Sequence, residues 1–279
     1  MHIEVSHSTL GATVTEVDLT AEFDVADAEE IRSALDDRGV LAFPGQHLDD
    51  EGLKRVASLW APPQPHPVAE FVGGSEVIGV VFNDADHPPA EGGDSTWHTD
   101  YSFNPEIPDV AVLRSVTAPS SGGNTVWADA RAAAASLEPA TRERVETMVG
   151  HHDPGPRFVH EMTVRMGEEI GARVGARFGF GYRHPVISAH PRTGDPLLFV
   201  NPGYTRYLIG VAEDDPLLGE LFAAFGDPNF QFEHAWTEGD VVIWDEHRTV
   251  HRGPNDFGTQ RRELHRCTAG HQAPVAAIR

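Results

Sequence analysis

The chain has 279 residues, with 43 Asp and Glu against 21 Lys and Arg, a formal net charge of −22. So acidic a surface repels nucleic acid and anionic membranes, and neither is an expected partner. Cys267 is the only cysteine, which excludes an intrachain disulfide, a cysteine-based zinc site and an iron–sulfur cluster.

In chain order, residues 26–38 carry the spacing of an amphipathic helix that Gly39 can stop. Asp49 is a suitable N-cap for a helix over 49–60. Asp129 opens an alanine-rich helix, and Pro139 suits the first turn of a helix running through Val149. Asp214-Asp215-Pro216 starts another, to about Phe225. Strand-like segments are shorter and more numerous: 12–17, 40–43, 77–82, 97–103, 110–117, 184–190, 197–201, 230–236, 240–244 and 262–269. They lack the alternating βαβ rhythm of a parallel sheet. The fold expected is mainly β, a double-sheet jelly roll with flanking helices. Residues 150–183, interrupted by glycines and histidines, show no clean period and are hard to place, with an ordinary surface loop as one reading. No linker-like tract divides the chain, so one domain over 1–279 is expected. The N-terminal residues lack the basic and apolar regions of a signal peptide. No run approaches the roughly 20 apolar residues of a membrane span, so a cytoplasmic location is expected.

The chemistry concentrates in three places. His98 and Asp100 stand two apart in Trp97-His98-Thr99-Asp100, a spacing that puts both side chains on one side of a strand. His251 completes a set of two imidazoles and one carboxylate, which leaves one face of a metal open. In 260–269, Arg262, Leu264 and Arg266 share one strand face, while Glu263, His265 and Cys267 share the other. Arginine clamps carboxylate, sulfate or phosphate with two parallel hydrogen bonds. Two solvated cations on an exposed face are the plain alternative. Beside a metal, the pair instead describes a site for an anionic cofactor and an anionic substrate. His247 and His251 do not make a metalloprotease motif, because Arg248 stands where that motif needs Glu. His151, His152 and His160 read as polar loop residues. There is no G-x-S-x-G nucleophile elbow, and Gly122-Gly123 lacks the Gly-Lys-Ser/Thr of a phosphate loop.

Five segments in order, WHTDYSF (97–103), SGGNTVWAD (121–129), HPRTGDPLLFVN (190–201), GDVVIWD (239–245) and QRRELHR (260–266), resemble the taurine dioxygenase family of Fe(II)- and 2-oxoglutarate-dependent oxygenases. Alkylsulfatases and phenoxyacetate-degrading enzymes belong to the same family, and the likeness covers nearly the whole chain. It implies a double-stranded β-helix (jelly-roll) core with Fe(II) held by His98, Asp100 and His251, and residues 150–183 as a mobile lid that closes when cofactor and substrate are present. It implies that Arg262 and Thr125 bind the distal carboxylate of 2-oxoglutarate, with O2 as co-substrate. Arg266, with His66 nearby, falls on the residues that grip the substrate's anionic group. The reaction implied is hydroxylation of a small anionic organic substrate, a sulfonate, alkyl sulfate or carboxylate, with release of succinate and CO2. Where the product is unstable, C–S or C–O cleavage follows. Removing Arg266 is then expected to spare uncoupled 2-oxoglutarate decay and to weaken coupling to substrate. Dimers or tetramers are common among relatives, so a homo-oligomer is expected.

The chain also departs from the pattern. Tyr101 stands where the taurine enzyme has a small aliphatic residue, Asp94 where it has asparagine, and Ala69 where it has tyrosine. Phe103 and Tyr204 add aromatic surface. Trp244-Asp245-Glu246-His247 replaces Trp-Asp-Asn-Arg, which is expected to alter the support of His251. These changes argue against taurine itself. A biosynthetic hydroxylase or desaturase of the same family is a second reading. A zinc hydrolase on the same three ligands is a third, although it leaves Arg262 and Thr125 without a role. A metal-free binding protein on a decayed barrel is the last.

Overall fold

A computed structural model describes residues 1–6, 8–71, 77–87 and 95–277. The chain begins with the antiparallel pair β1 (His2–Val5) and β2 (Ala12–Thr15), followed by α1 (Val25–Arg38), β3 (Val40–Phe43) and α2 (Asp50–Ala57). Next come β4 (Pro63–Gln64), β5 (Ile78–Asn83), β6 (Val110–Thr117), β7 (Thr125–Asp129), α3 (Ala130–Ser136) and α4 (Pro139–Val145). The middle holds β8 (Val149–His152), α5 (Gly155–Met166), α6 (Glu168–Phe178), β9 (Tyr182–Pro185), β10 (Ile187–Ala189), β11 (Pro196–Leu198) and β12 (Thr205–Leu208). The chain then runs through α7 (Leu217–Ala223), β13 (Gln231–His234), β14 (Val241–Asp245), β15 (Thr249–Arg252), β16 (Arg262–Ala269) and β17 (Val275–Ala276).

The large sheet has the order β1-β2-β3-β14-β6-β16-β4, with β5 also paired to β16. Only β2 and β3 in it run parallel. Its central strands are apolar at nearly every position because both faces are covered, and the alternation of the pleat sorts their residues into two cores. Leu41, Phe43, Val112, Ile243 and Cys267 pack outward with Ile31 and Leu35 of α1 and Leu53 and Val56 of α2. Val40, Ala42, Leu113, Val242, Trp244 and Leu264 point inward and meet Trp127 of β7. Trp127 belongs to the small sheet β13-β7-β15, so this second core fills the space between two facing sheets, the jelly roll expected. Outside the small sheet, Ala128 and Val250 pack with Ala133 of α3 and Leu217 and Leu221 of α7.

Local signals in the sequence set several boundaries. The side chains of Asp24, Asp49 and Asp129 accept the first free N–H groups of α1, α2 and α3, and Gly39 closes α1 at φ 67. The helix from Pro139 stops at Val145, because the chain must enter β8 at Val149; α2 likewise ends at Ala57. One expectation is corrected outright, and for 150–183 the alternative of a surface loop falls. Residues 97–103 form no strand: His98 makes a single bridge to His251, and a turn follows at once. Residues 150–183 are not a loop but β8, the helical hairpin α5–α6 and the start of β9. His152 in β8 is fully buried, not a polar loop residue. Among the described residues, no helix is long and apolar enough to cross a membrane.

Candidate metal centre

His251 lies in β15 opposite Trp127 of β7, on the inward side of the small sheet. His98 reaches it through an exchanged pair of backbone bonds, His98 N to His251 O at 2.9 Å and His251 N to His98 O at 2.7 Å. The imidazole centroids are 4.2 Å apart. Outside the bridge, the Arg252 guanidinium stacks on the Trp97 ring at 4.7 Å, tying together the neighbours of both histidines. Asp100 follows in the turn, and its Oδ1 faces His98 Nε2 at 3.8 Å and His251 Nε2 at 4.0 Å. Thus the three residues converge as the sequence implies, through a bridge and a turn rather than through one strand.

Each group is prepared as a ligand. His98 Nδ1 lies 2.7 Å from the Thr96 carbonyl, which can only accept, so the proton sits there and Nε2 offers its lone pair. Burial, reinforced by His98, holds the His251 imidazole well below its ordinary pKa, in the neutral form a metal needs. Burial would raise the Asp100 carboxyl, but the Arg266 guanidinium, the largest opposing influence, helps to hold it at about 2. Arg266 Nη1 donates to Asp100 Oδ2 at 2.6 Å, leaving Oδ1 as the oxygen turned toward the histidines. One donor atom from each residue lies within 4.8 Å of the others, and the set is buried. An ionised carboxylate and two imidazoles fit Fe(II), a three-ligand set that leaves coordination positions for other ligands.

Within the segment Trp244–His247, expected to alter the support near His251, Trp244 packs on the His251 ring at 5.1 Å and Glu246 holds both Trp244 and Asp100. The Glu246 carboxylate is fully buried. It accepts the Asp100 backbone N–H at 3.1 Å and the Trp244 indole N–H at 2.7 Å. Burial, and then the nearby Asp100 charge, push its pKa well above the usual carboxylate range. A second acidic residue directly after Asp245, at the end of the apolar run Val241–Trp244, was the available sequence signal. Asp245 faces away, pairing with His190 at 2.8 Å and capping the turn to β15 by accepting the N–H groups of His247 and Arg248.

The two arginines of β16 share the inward face with Leu264, as expected. Arg262 is buried, and its Nε donates to the Gly123 carbonyl at 3.2 Å over the Phe257 ring. Gly123, at φ 69, admits that approach, since a Cβ there would lie 3.2 Å from Arg262 Cδ. Thr125 is two residues further on and buried; its hydroxyl accepts the Trp236 indole N–H at 2.9 Å, a partner that sequence reasoning missed. Arg266 Nη2 donates to the Tyr101 phenol at 2.7 Å. Tyr101 itself sits at φ 57, a costly conformation for a bulky residue and one often kept at functional sites.

His66 approaches Tyr101 edge-on, with ring centroids 5.2 Å apart. Phe103 packs on Tyr204 at 5.1 Å, on Phe158 of α5 at 5.6 Å and on Phe178 of α6 at 5.5 Å. With Val68, Met162 and Val174 they form an apolar cluster adjoining the metal-bearing turn. Asp94, the remaining residue expected at the substrate, lies outside the described residues.

A buried two-histidine, one-carboxylate centre in a jelly roll, with two inward arginines on β16, fits a metal-dependent oxygenase handling anions. The family model "Taurine catabolism dioxygenase TauD, TfdA family" matches residues 3–268, and the chain belongs to that family. It is 30% identical over 278 residues to an alkylsulfatase of Acinetobacter baylyi, covering 96% of this chain and 84% of the relative. An alpha-ketoglutarate-dependent sulfate ester dioxygenase of Pseudomonas putida is 31% identical over 273 residues, covering 95% of this chain and 88% of the relative. A taurine dioxygenase structure from Burkholderia xenovorans superposes with a TM-score of 0.81 at 27% identity, covering 99% of this chain and 91% of that one. The protein is therefore an Fe(II)- and 2-oxoglutarate-dependent dioxygenase. The zinc-hydrolase and metal-free readings fall with that result.

Proposed function

We propose that the enzyme hydroxylates a small organic anion with an apolar body, with alkyl sulfate esters as the first class to assay. The observation that carries this reading is the juxtaposition of Arg266 with an aromatic cluster beside the metal ligands. His98, Asp100 and His251 hold Fe(II), and Arg262 with Thr125 binds the distal carboxylate of 2-oxoglutarate. Bound Fe(II), 2-oxoglutarate and O2 together supply the oxidant for a C–H bond, leaving succinate and CO2. The protein's own work is placement. Arg266 keeps Asp100 ionised and turns Oδ1 to the histidines. Its fork carries five N–H donors, enough to serve Asp100, Tyr101 and an incoming anion together. His66 takes the Val68 N–H on Nδ1, so its neutral form carries the proton on Nε2 as a further donor. Phe103, Tyr204 and Tyr101 offer aromatic surface to the substrate's body, excluding water from the carbon that reacts. The sulfate-ester names of two relatives support this class.

The reading extends to one domain over 1–279, working as a dimer or tetramer in the cytoplasm, where the lone thiol and Fe(II) both suit a reducing compartment. Succinate release tests the substrate class. Medium-chain alkyl sulfates should stimulate it well above the rate without substrate, and more than taurine does. Stimulation by taurine alone would overturn the proposal.

A further inference from the structure

We propose that Trp236 is a positioning residue for the cofactor: it fixes the Thr125 hydroxyl as a donor toward the distal carboxylate of 2-oxoglutarate. This rests on the assignment of Thr125 and Arg262 made above.

The argument is one of hydrogen-bond polarity. An indole nitrogen donates and never accepts, whereas a threonine hydroxyl holds one hydrogen and two lone pairs and rotates to suit its neighbours. Trp236 Nε1 lies 2.9 Å from Thr125 Oγ1, with both side chains buried. The Thr125 oxygen therefore accepts from Trp236, and its own hydrogen must point in another direction. Trp236 occupies one lone pair and turns the hydroxyl hydrogen away from itself, so that hydrogen is left to donate elsewhere, the polarity an anionic carboxylate requires. Accepting one bond also strengthens the donor in the next.

The surroundings fix both ends of this bond. The Trp236 ring meets His234 edge-on at 4.8 Å, and His234 Nε2 lies 3.0 Å from Asp240 Oδ2. The same oxygen accepts the Thr237 backbone N–H at 2.9 Å and its hydroxyl at 2.8 Å, so one carboxylate secures the residues on both sides of Trp236. Thr125 opens β7 directly after the turn whose Gly123 carbonyl takes the Arg262 Nε–H. Guanidinium and hydroxyl are thus held by a single short segment, 122–125. The competing account makes Trp236 an apolar filler beside Leu113, Trp127 and Leu264. In that account its N–H is incidental.

A double-mutant cycle separates the two, read as binding of N-oxalylglycine, an unreactive 2-oxoglutarate analogue, to the Mn(II)-loaded protein by calorimetry. Thr125→Val should weaken binding by about tenfold or more, the loss of a hydrogen bond to a charged group. Trp236→Phe should weaken it roughly three- to tenfold in the wild-type background. In the Thr125→Val background the same change should cost less than about twofold, since its effect passes through the hydroxyl. Mn(II) affinity should stay constant in all variants. Equal losses from Trp236→Phe in both backgrounds, or none in either, would overturn the proposal and leave Trp236 as filler. Wild-type affinity in Thr125→Val would sink the Thr125 assignment itself, a result distinct from failure of Trp236 alone. Trp236→Leu in the same two backgrounds completes the cycle if the phenylalanine variant does not fold.

Discussion

Arg266 holds Asp100, a contact that its place in the strand did not suggest and that comes in addition to the substrate role proposed for it. The spacing of Arg262, Leu264 and Arg266 gave the shared inward face, because a period of two is a local property of the chain. The contact of Arg266 Nη1 with Asp100 Oδ2 depends on how a distant turn folds back, which no local pattern encodes. That contact revises the expectation for Arg266→Ala. Without the guanidinium, burial pushes the Asp100 carboxyl up and Oδ2 loses the bond from Arg266. Mn(II) or Fe(II) affinity should therefore fall about 10- to 100-fold, as for other groups that orient metal ligands. Uncoupled 2-oxoglutarate decay should fall with it at limiting metal. Unchanged metal affinity in Arg266→Ala would show the Asp100 contact to be incidental.

Elements were legible where a side chain reports its own role. Asp49 and Asp129 cap helices through bonds to residues two or three away, so their sequence signature is complete; Asp24 caps α1 in the same way, although only the Gly39 stop was read there. The hairpin α5–α6 was not legible, because Gly171 and Gly175, inside α6, serve the packing of a neighbouring helix rather than a turn. A Cβ on Gly171 would lie 2.0 Å from Thr163 Oγ1 and 2.9 Å from Thr163 Cα, so glycine there permits the close crossing. Gly167, at φ 93, joins the two helices. This hairpin carries Phe158, Met162 and Phe178 to the aromatic cluster. Gly171→Ala should prise the helices apart, lowering stability by about 1–3 kcal/mol through overpacking. KM for an apolar-bodied substrate should rise while N-oxalylglycine affinity holds. A wild-type melting temperature and KM would show that the crossing tolerates the methyl group. The bridge between His98 and His251 was equally hidden: two residues paired across the fold look, in sequence, like a short strand.

For the whole molecule, the charge of −22 sets bulk electrostatics against an anionic cofactor and an anionic substrate. Binding therefore depends on the local arginines rather than on long-range steering. A second whole-molecule property is acid sensitivity. Burial lowers the His184 imidazole from 6.5 to about 4, despite its bond to the Asn104 carbonyl at 2.9 Å, and lowers that of His152 well below 6.5. Below pH 6.5 the unfolded chain binds protons that the folded one refuses, so this contribution is full above 6.5 and is lost as pH falls toward 4. For His184 alone the loss between pH 6.5 and 5 is roughly 2 kcal/mol. Denaturant melts of the metal-free protein check it: the stability difference between wild type and His184→Gln should shrink by that amount, and a difference independent of pH would refute the assignment.

The central claim is that His98, Asp100 and His251 hold Fe(II) with 2-oxoglutarate beside Arg262. Anaerobic visible difference spectroscopy of the protein with Fe(II) and 2-oxoglutarate tests it most directly. The account predicts a metal-to-ligand charge-transfer band that needs both additions, disappears in His251→Ala and shifts when an alkyl sulfate enters. Absence of the band in wild-type protein with demonstrated Fe(II) binding would contradict it.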